Sequence, residues 1–198
     1  LRTQIEQGAK VEVFASADQA QMDKAVQGGS ISGTPKVFAT NRLTIIVPSD
    51  NPKGIASLQD LAKPGLKIVA AQPAVPVGQY TQQILTKASQ DPTYGADFRT
   101  KVEANYASRE SDVRQVVAKV ALGEGDAAVV YTTDVTPQSA SKLKVIPIPD
   151  PLNVIASYPI ATVKTGTNQG GGSRFVEFVL SADGQKILAK WGFGPAPA

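Results

Sequence analysis

The sequence predicts an α/β fold. Three observations carry that expectation: β-branched runs alternate with segments of helical period, glycines stop the helices, and 42 % of the 198 residues are hydrophobic, enough to fill a core. The length suits one large domain or two small lobes. Alternating strands and helices point to parallel sheets, whose ligands gather beyond the carboxyl ends of the strands.

Taken in order, Leu1 to Gln7 has helical spacing and stops at Gly8, but no capping residue precedes it. Val11 to Ser16 reads as a strand, and Ala17 to Val26 as a helix stopped by Gly28 and Gly29. Lys36 to Ala39 and Arg42 to Val47 are two strand-like runs, the second ended by Pro48. Ser57 caps a short helix that Lys63, Pro64 and Gly65 break. Lys67 to Ala71 is a buried strand, followed by a turn on Pro73 and Pro76 and a helix from about Val77 to Ala88. A turn at Asp91 to Gly95 precedes a short helix at Ala96 to Val102. Val113, Val116, Val117, Val120 and Ala121 form one apolar helix face, with Ser111 as its expected N-cap and Gly123 as its stop. Gly125 to Tyr131 is a further buried strand, and Leu143 to Ile146 and Tyr158 to Val163 are two more. Thr165 to Ser173 reads as a glycine-rich surface turn, since Gly170 to Gly172 lack the spacing and lysine of a phosphate loop. Helices at Arg174 to Leu188, restarting after Ser181, lead to Trp191 to Phe193 and a frayed tail at Pro195 to Ala198.

Composition removes several function classes. Twenty basic and 17 acidic side chains are scattered without a block of one sign, and no motif with interleaved aromatics appears, so nucleic acid is not an expected partner. Without cysteine or histidine there are no disulfides, thiol nucleophiles, ordinary zinc sites or Ser-His-Asp groups. The lack of cysteine fits an oxidising compartment. No apolar run reaches the roughly 18 residues of a membrane span, and no secretory h-region opens the chain.

The positive signals are helix starts. Pro76 suits the first helical position, and the amides of Val77, Gly78 and Gln79 after it would point out of the helix with the positive end of its dipole, which favours an anion. The same turn taken alone also fits an ordinary strand-to-helix junction. A cap at Ser111 puts the Val113 amide in a first turn, and Tyr131 stands at the carboxyl end of its strand. Arg109 and Arg114 are expected to be solvated or paired with Glu110.

Four pieces in order then resemble a known family: Ile5-Glu-Gln-Gly-Ala9 running into Val13-Phe-Ala-Ser-Ala-Asp18; Val75-Pro-Val-Gly-Gln-Tyr80; Glu110-Ser-Asp-Val-Arg114 with Gly125 to Tyr131; and Tyr158-Pro-Ile-Ala161 with Ser181 to Leu188 and Trp191-Gly-Phe193. Together they are similar to the molybdate/tungstate-binding proteins of bacterial ABC uptake systems. The resemblance implies a two-lobe, type II periplasmic-binding-protein-like fold that closes on a tetrahedral oxyanion through neutral donors, with no cofactor, no directly bound metal and no enzymatic activity. Carried over by position, the ligand-binding residues are Val77 and Val113 through backbone amides and Tyr131 through its hydroxyl or an adjacent amide. The implied first lobe comprises residues 1–47 and 134–198, lacking N-terminal strands, and the second residues 48–133. The implied partners are the oxyanion and a membrane permease, and the implied location is the periplasm or the outer face of the cytoplasmic membrane. Sulfate, phosphate or an effector-sensing role in a transcription regulator stay as alternatives, and molybdate is not separable from tungstate.

Two departures from the family pattern stand out. Two serine donors of the family would precede Leu1, so the 198 residues are expected to bind weakly and to expose a sheet edge that recruits another chain. Lys10-Val-Glu12 replaces the family's usual Pro-Ala-Asp, with no reason visible in the sequence.

Overall fold

Strand β2 (Ile31–Pro48) is one continuous element where two strands were expected, because Thr40 keeps extended pairing: it exchanges backbone hydrogen bonds with Gly194 at 3.0 and 2.8 Å. The structure, a computed structural model, describes residues 1–197; Ala198, the end of the tail expected to fray, lies outside the described residues. The chain divides into two compact units, residues 1–41 with 156–198 and residues 42–155. These breaks differ from the expected 47/48 and 133/134. The last part of β2 pairs with strands β5 (Ala128–Tyr131) and β6 (Leu143–Pro147), which draws residues 42–48 and 134–155 into the second unit.

In the first unit, β1 (Val13–Ala15) pairs antiparallel with β7 (Ile155–Val163), and β7 neighbours β2. Helices α1 (Arg2–Glu6) and α2 (Gln19–Gln27) contribute Ile5, Met22 and Ala25 to a core with Phe14, Ala161 and Val163. Asp18 caps α2 by accepting from the Gln21 amide at 2.6 Å. Helix α7 (Gln169–Leu180) starts inside the expected glycine-rich turn, capped by Asn168, which accepts from the Gly171 amide at 2.9 Å. Glu12 explains this and its own part of the departure noted above: its carboxylate accepts from the amides of Thr167 and Asn168 at 3.0 and 2.9 Å and from the Thr167 hydroxyl at 3.2 Å. Helix α8 (Ala182–Lys190) follows, and Gln185 ties down the tail by accepting from the Ala196 amide at 2.9 Å.

The second unit builds a sheet in which β2 lies between β5 and β6, both antiparallel to it. Strand β3 (Ile68–Ala71) meets β5 through a parallel bridge at Ile68 and Ala127, and pairs in parallel with β4 (Tyr106–Glu110). Parallel pairing therefore holds for β3 with β4 and β5, whereas β1–β7, β2–β5 and β2–β6 are antiparallel. Alternation predicts direction only where strands joined by a crossover become neighbours, and the partners of β2 and β1 are remote in sequence. Helices α3 (Pro76–Gln90), α4 (Phe98–Ala104), α5 (Val113–Ala121) and the short α6 (Pro137–Ala140) complete the unit. The valine face of α5 packs as its spacing predicts: Val116, Val117 and Val120 join Ile46, Val69, Ala128, Val130 and Leu143 in the core. No helix among the described residues is long and apolar enough to cross a membrane.

Candidate functional site

The three parallel strands end side by side. Ala71 of β3 is in register with Glu110 of β4, and the Gln72 amide bonds to Glu110 O at 2.8 Å, while β5 continues to Tyr131. From the first two ends the chain passes into α3 and α5, so two helix N-termini lie at the carboxyl edge of one sheet.

At the first, Pro76 occupies the opening turn of α3 as expected, and Val77 is buried behind it. Gly78 and Gln79 do not offer their amides outward: both bond to Val75 O, at 2.9 and 3.1 Å. Of the three expected donors, Val77 alone keeps its N–H off that carbonyl. Gly78 is required because a Cβ there would overlap Gln72 O and lie 3.0 Å from Ala71 O. Its absence lets α3 start directly against the end of β3.

At the second, the cap is Asp112 and not Ser111. Asp112 is extended, φ −146° and ψ 138°, and its carboxylate accepts from the Arg114 amide at 2.7 Å. Both residues carry suitable acceptors, so the sequence left the cap open by one position. The correction moves Val113 to the first helical residue, where an N–H has no carbonyl a turn behind it.

Tyr131 is buried at the end of β5, with the Tyr80 ring of α3 edge-on at 6.3 Å between centroids. The aromatic contact joins α3 to this strand end. The Tyr131 N–H donates to Asp134 Oδ2 at 2.9 Å, so its own amide is engaged within the turn. Sequence reasoning missed Asp134. It closes a 3₁₀ turn, Thr132–Asp134, and burial pushes its carboxyl up to about 6, helped by the charge of Asp112 and opposed by the Tyr131 N–H and Arg114.

Arg109 and Arg114 are both exposed, the solvated arrangement expected of them. Glu110 pairs with Lys119 at 2.6 Å, and that hydrogen bond, with one from Ser108, holds its carboxyl below the usual range. Arg109 lies over the Tyr106 ring at 5.2 Å. Arg114 lines a groove of about 490 Å³ with Asp134, Lys142 and the outer face of α5. Among the described residues, no cluster of three or more Asp, Glu, His or Cys side chains could hold a metal ion. The candidate site thus gathers two helix N-termini and a strand end that bears a tyrosine, groups whose chemistry suits an oxyanion.

Residues 1–194 match the family model described as bacterial extracellular solute-binding protein, and the chain belongs to that family. It is 38 % identical over 193 residues to the molybdate-binding protein ModA of Mycobacterium tuberculosis, covering 98 % of this chain and 69 % of that protein. A substrate-binding domain of a putative molybdenum ABC transporter from Clostridium difficile superposes with a TM-score of 0.78 at 28 % identity, over 99 % of this chain and 82 % of the other. A sulfate-binding protein of Synechococcus elongatus is 28 % identical over 205 residues, covering 96 % of this chain and 59 % of that protein.

Proposed function

We propose that this protein captures molybdate or tungstate outside the cytoplasmic membrane and delivers it to the permease of an ABC transporter. It binds its ligand without turning it over. The observation that carries the reading is the convergence of the α3 and α5 N-termini on the strand end that bears Tyr131, in a chain 38 % identical to a molybdate-binding protein. The Val77 and Val113 amides and the Tyr131 hydroxyl are the donors assigned to the oxyanion. Each is a charge-assisted bond from a neutral group, so a dianion is held without buried cations. The metal enters only as the centre of the oxyanion, and no resident cofactor is involved. Likeness to a sulfate-binding protein favours sulfate as the second reading.

Calorimetric titration of molybdate, tungstate and sulfate into the protein at its natural length separates these. The informative variant is Val113→Pro. Proline is tolerated at a first helical position, and Asp112 before it already has the extended backbone that proline demands, so the change subtracts one N–H and alters a side chain that packs against the core. Loss of a hydrogen bond to a charged ligand costs about 1.5–3 kcal/mol, or roughly 10- to 150-fold in Kd. Val113→Ala keeps the amide and is expected to bind like the parent. Equal affinity for Val113→Pro and the parent would exclude Val113 from the site.

A further inference from the structure

We propose that Asp134 is a positioning residue of this oxyanion site and that it couples anion capture to uptake of one proton. The inference rests on the reading above and deepens it. Asp134 holds the Tyr131 N–H at 2.9 Å and closes the turn that follows, so its carboxylate fixes the backbone from which the Tyr131 side chain projects. It is half-buried against α5, near Asp112 and Arg114 at that helix's N-terminus, and it shares its groove with Lys142 beyond α6. From α3 the titratable group on this strand end is Tyr80, against the Tyr131 ring.

A dianion bound at Val113 and Tyr131 brings negative charge to a carboxylate that burial and Asp112 already disfavour. Anion binding therefore favours protonated Asp134, and by reciprocity protonated Asp134 favours the anion by the same factor. Protonation leaves one carboxyl oxygen to accept from Tyr131, so the turn persists in both states. The chain has no histidine, so no side chain with an ordinary pKa near neutrality obscures the effect. Asp134 is raised into that window, to about 6.

The test is molybdate titration at several pH values between about 5.5 and 8, repeated at pH 6.5 in buffers of different ionisation heat to count protons. Affinity is expected to rise about tenfold toward the acid end, with a fraction of a proton taken up per anion. Asp134→Asn keeps an acceptor for the Tyr131 N–H but cannot titrate; its affinity should be flat with pH and its proton count zero. Asp112→Asn removes a charge that raises Asp134 and should shift the uptake to lower pH without abolishing it. Because Asp134→Asn meets the same ligand in the same buffers, any pH dependence it retains measures protonation of the ligand itself. If binding depends on the Val113 N–H but the parent takes up no proton and matches Asp134→Asn at every pH, the coupling is refuted while the site stands. If Val113→Pro leaves binding unchanged, the site reading fails first, and the coupling with it.

Discussion

Gly78→Ala isolates the close approach on which the α3 end of the site depends. The added methyl would overlap Gln72 O and come within 3.0 Å of Ala71 O. Both are backbone atoms of the turn between β3 and α3, so no side-chain rotamer can relieve the overlap; the helix start must move. Overpacking of this kind costs about 1–3 kcal/mol, and with one carbonyl in β3 and the other held by the Val75 amide at 2.9 Å the upper end is expected. In urea, where small proteins lose about 1–3 kcal/mol per molar, this lowers the unfolding midpoint by about 1 M or more. The displaced Val77 amide should also weaken molybdate binding. Gly170→Ala is the control: it lies in the first turn of α7, and a Cβ there meets nothing within 4 Å. Removing a helical glycine there should stabilise by about 0.5–1 kcal/mol. Far-UV circular dichroism in urea compares the two. A parent-like midpoint for Gly78→Ala, or equal shifts for both variants, would refute the packing argument.

Two other outcomes follow from carboxylates that hold turns. Glu12→Ala removes three hydrogen bonds to the Thr167–Asn168 turn and should destabilise by about 1–3 kcal/mol in the same urea assay; an unchanged midpoint would mean that α7 holds its start unaided. Asp60 is held down to about 2 by Lys63 first and by the Ala56 and Ser57 amides and the Ser57 hydroxyl. Because its folded value lies below its ordinary 3.8, its stabilisation is present above about pH 4 and lost as pH falls toward 2. Asp60→Asn should therefore flatten the acid limb of a stability–pH profile and leave its neutral limb parallel to that of the parent.

The parts of the fold legible in the sequence were those where one physical signal acted alone. Helix α5 was legible because its valines recur at helical period and all find the core. Strand β4 was not: Tyr106 to Glu110 alternates half-buried with exposed positions and is polar, and only pairing with β3 makes it a strand. The start of α7 was misread because three successive glycines argue against a helix. Two side chains override that propensity, Asn168 as the cap and Glu12 from 155 residues away. Gly172 also has a tertiary reason to be glycine, since a Cβ there would lie 3.1 Å from Glu12 O. Such contacts across long sequence separations leave no periodic trace.

For the candidate site, the helix starts and the strand end were legible, and the hydrogen bonds that occupy their donors were not. Helix starts and strand ends supply amides in excess, and internal acceptors then remove some of them. Val75 O takes Gly78 and Gln79, Asp112 takes Arg114, and Asp134 takes Tyr131. What remains is the amide that each neighbouring acceptor cannot reach: Val77, one residue into α3, and Val113, the first residue of α5. Valine at these two positions carries no chemistry of its own. The residues that carry it are the acceptors beside them, because moving Asp112 by one position, or replacing the Val75–Pro76 turn, changes which N–H is left for a ligand. Asp134 belongs to the same set, and burial raises its carboxyl to about 6, which lets it exchange a proton near neutrality.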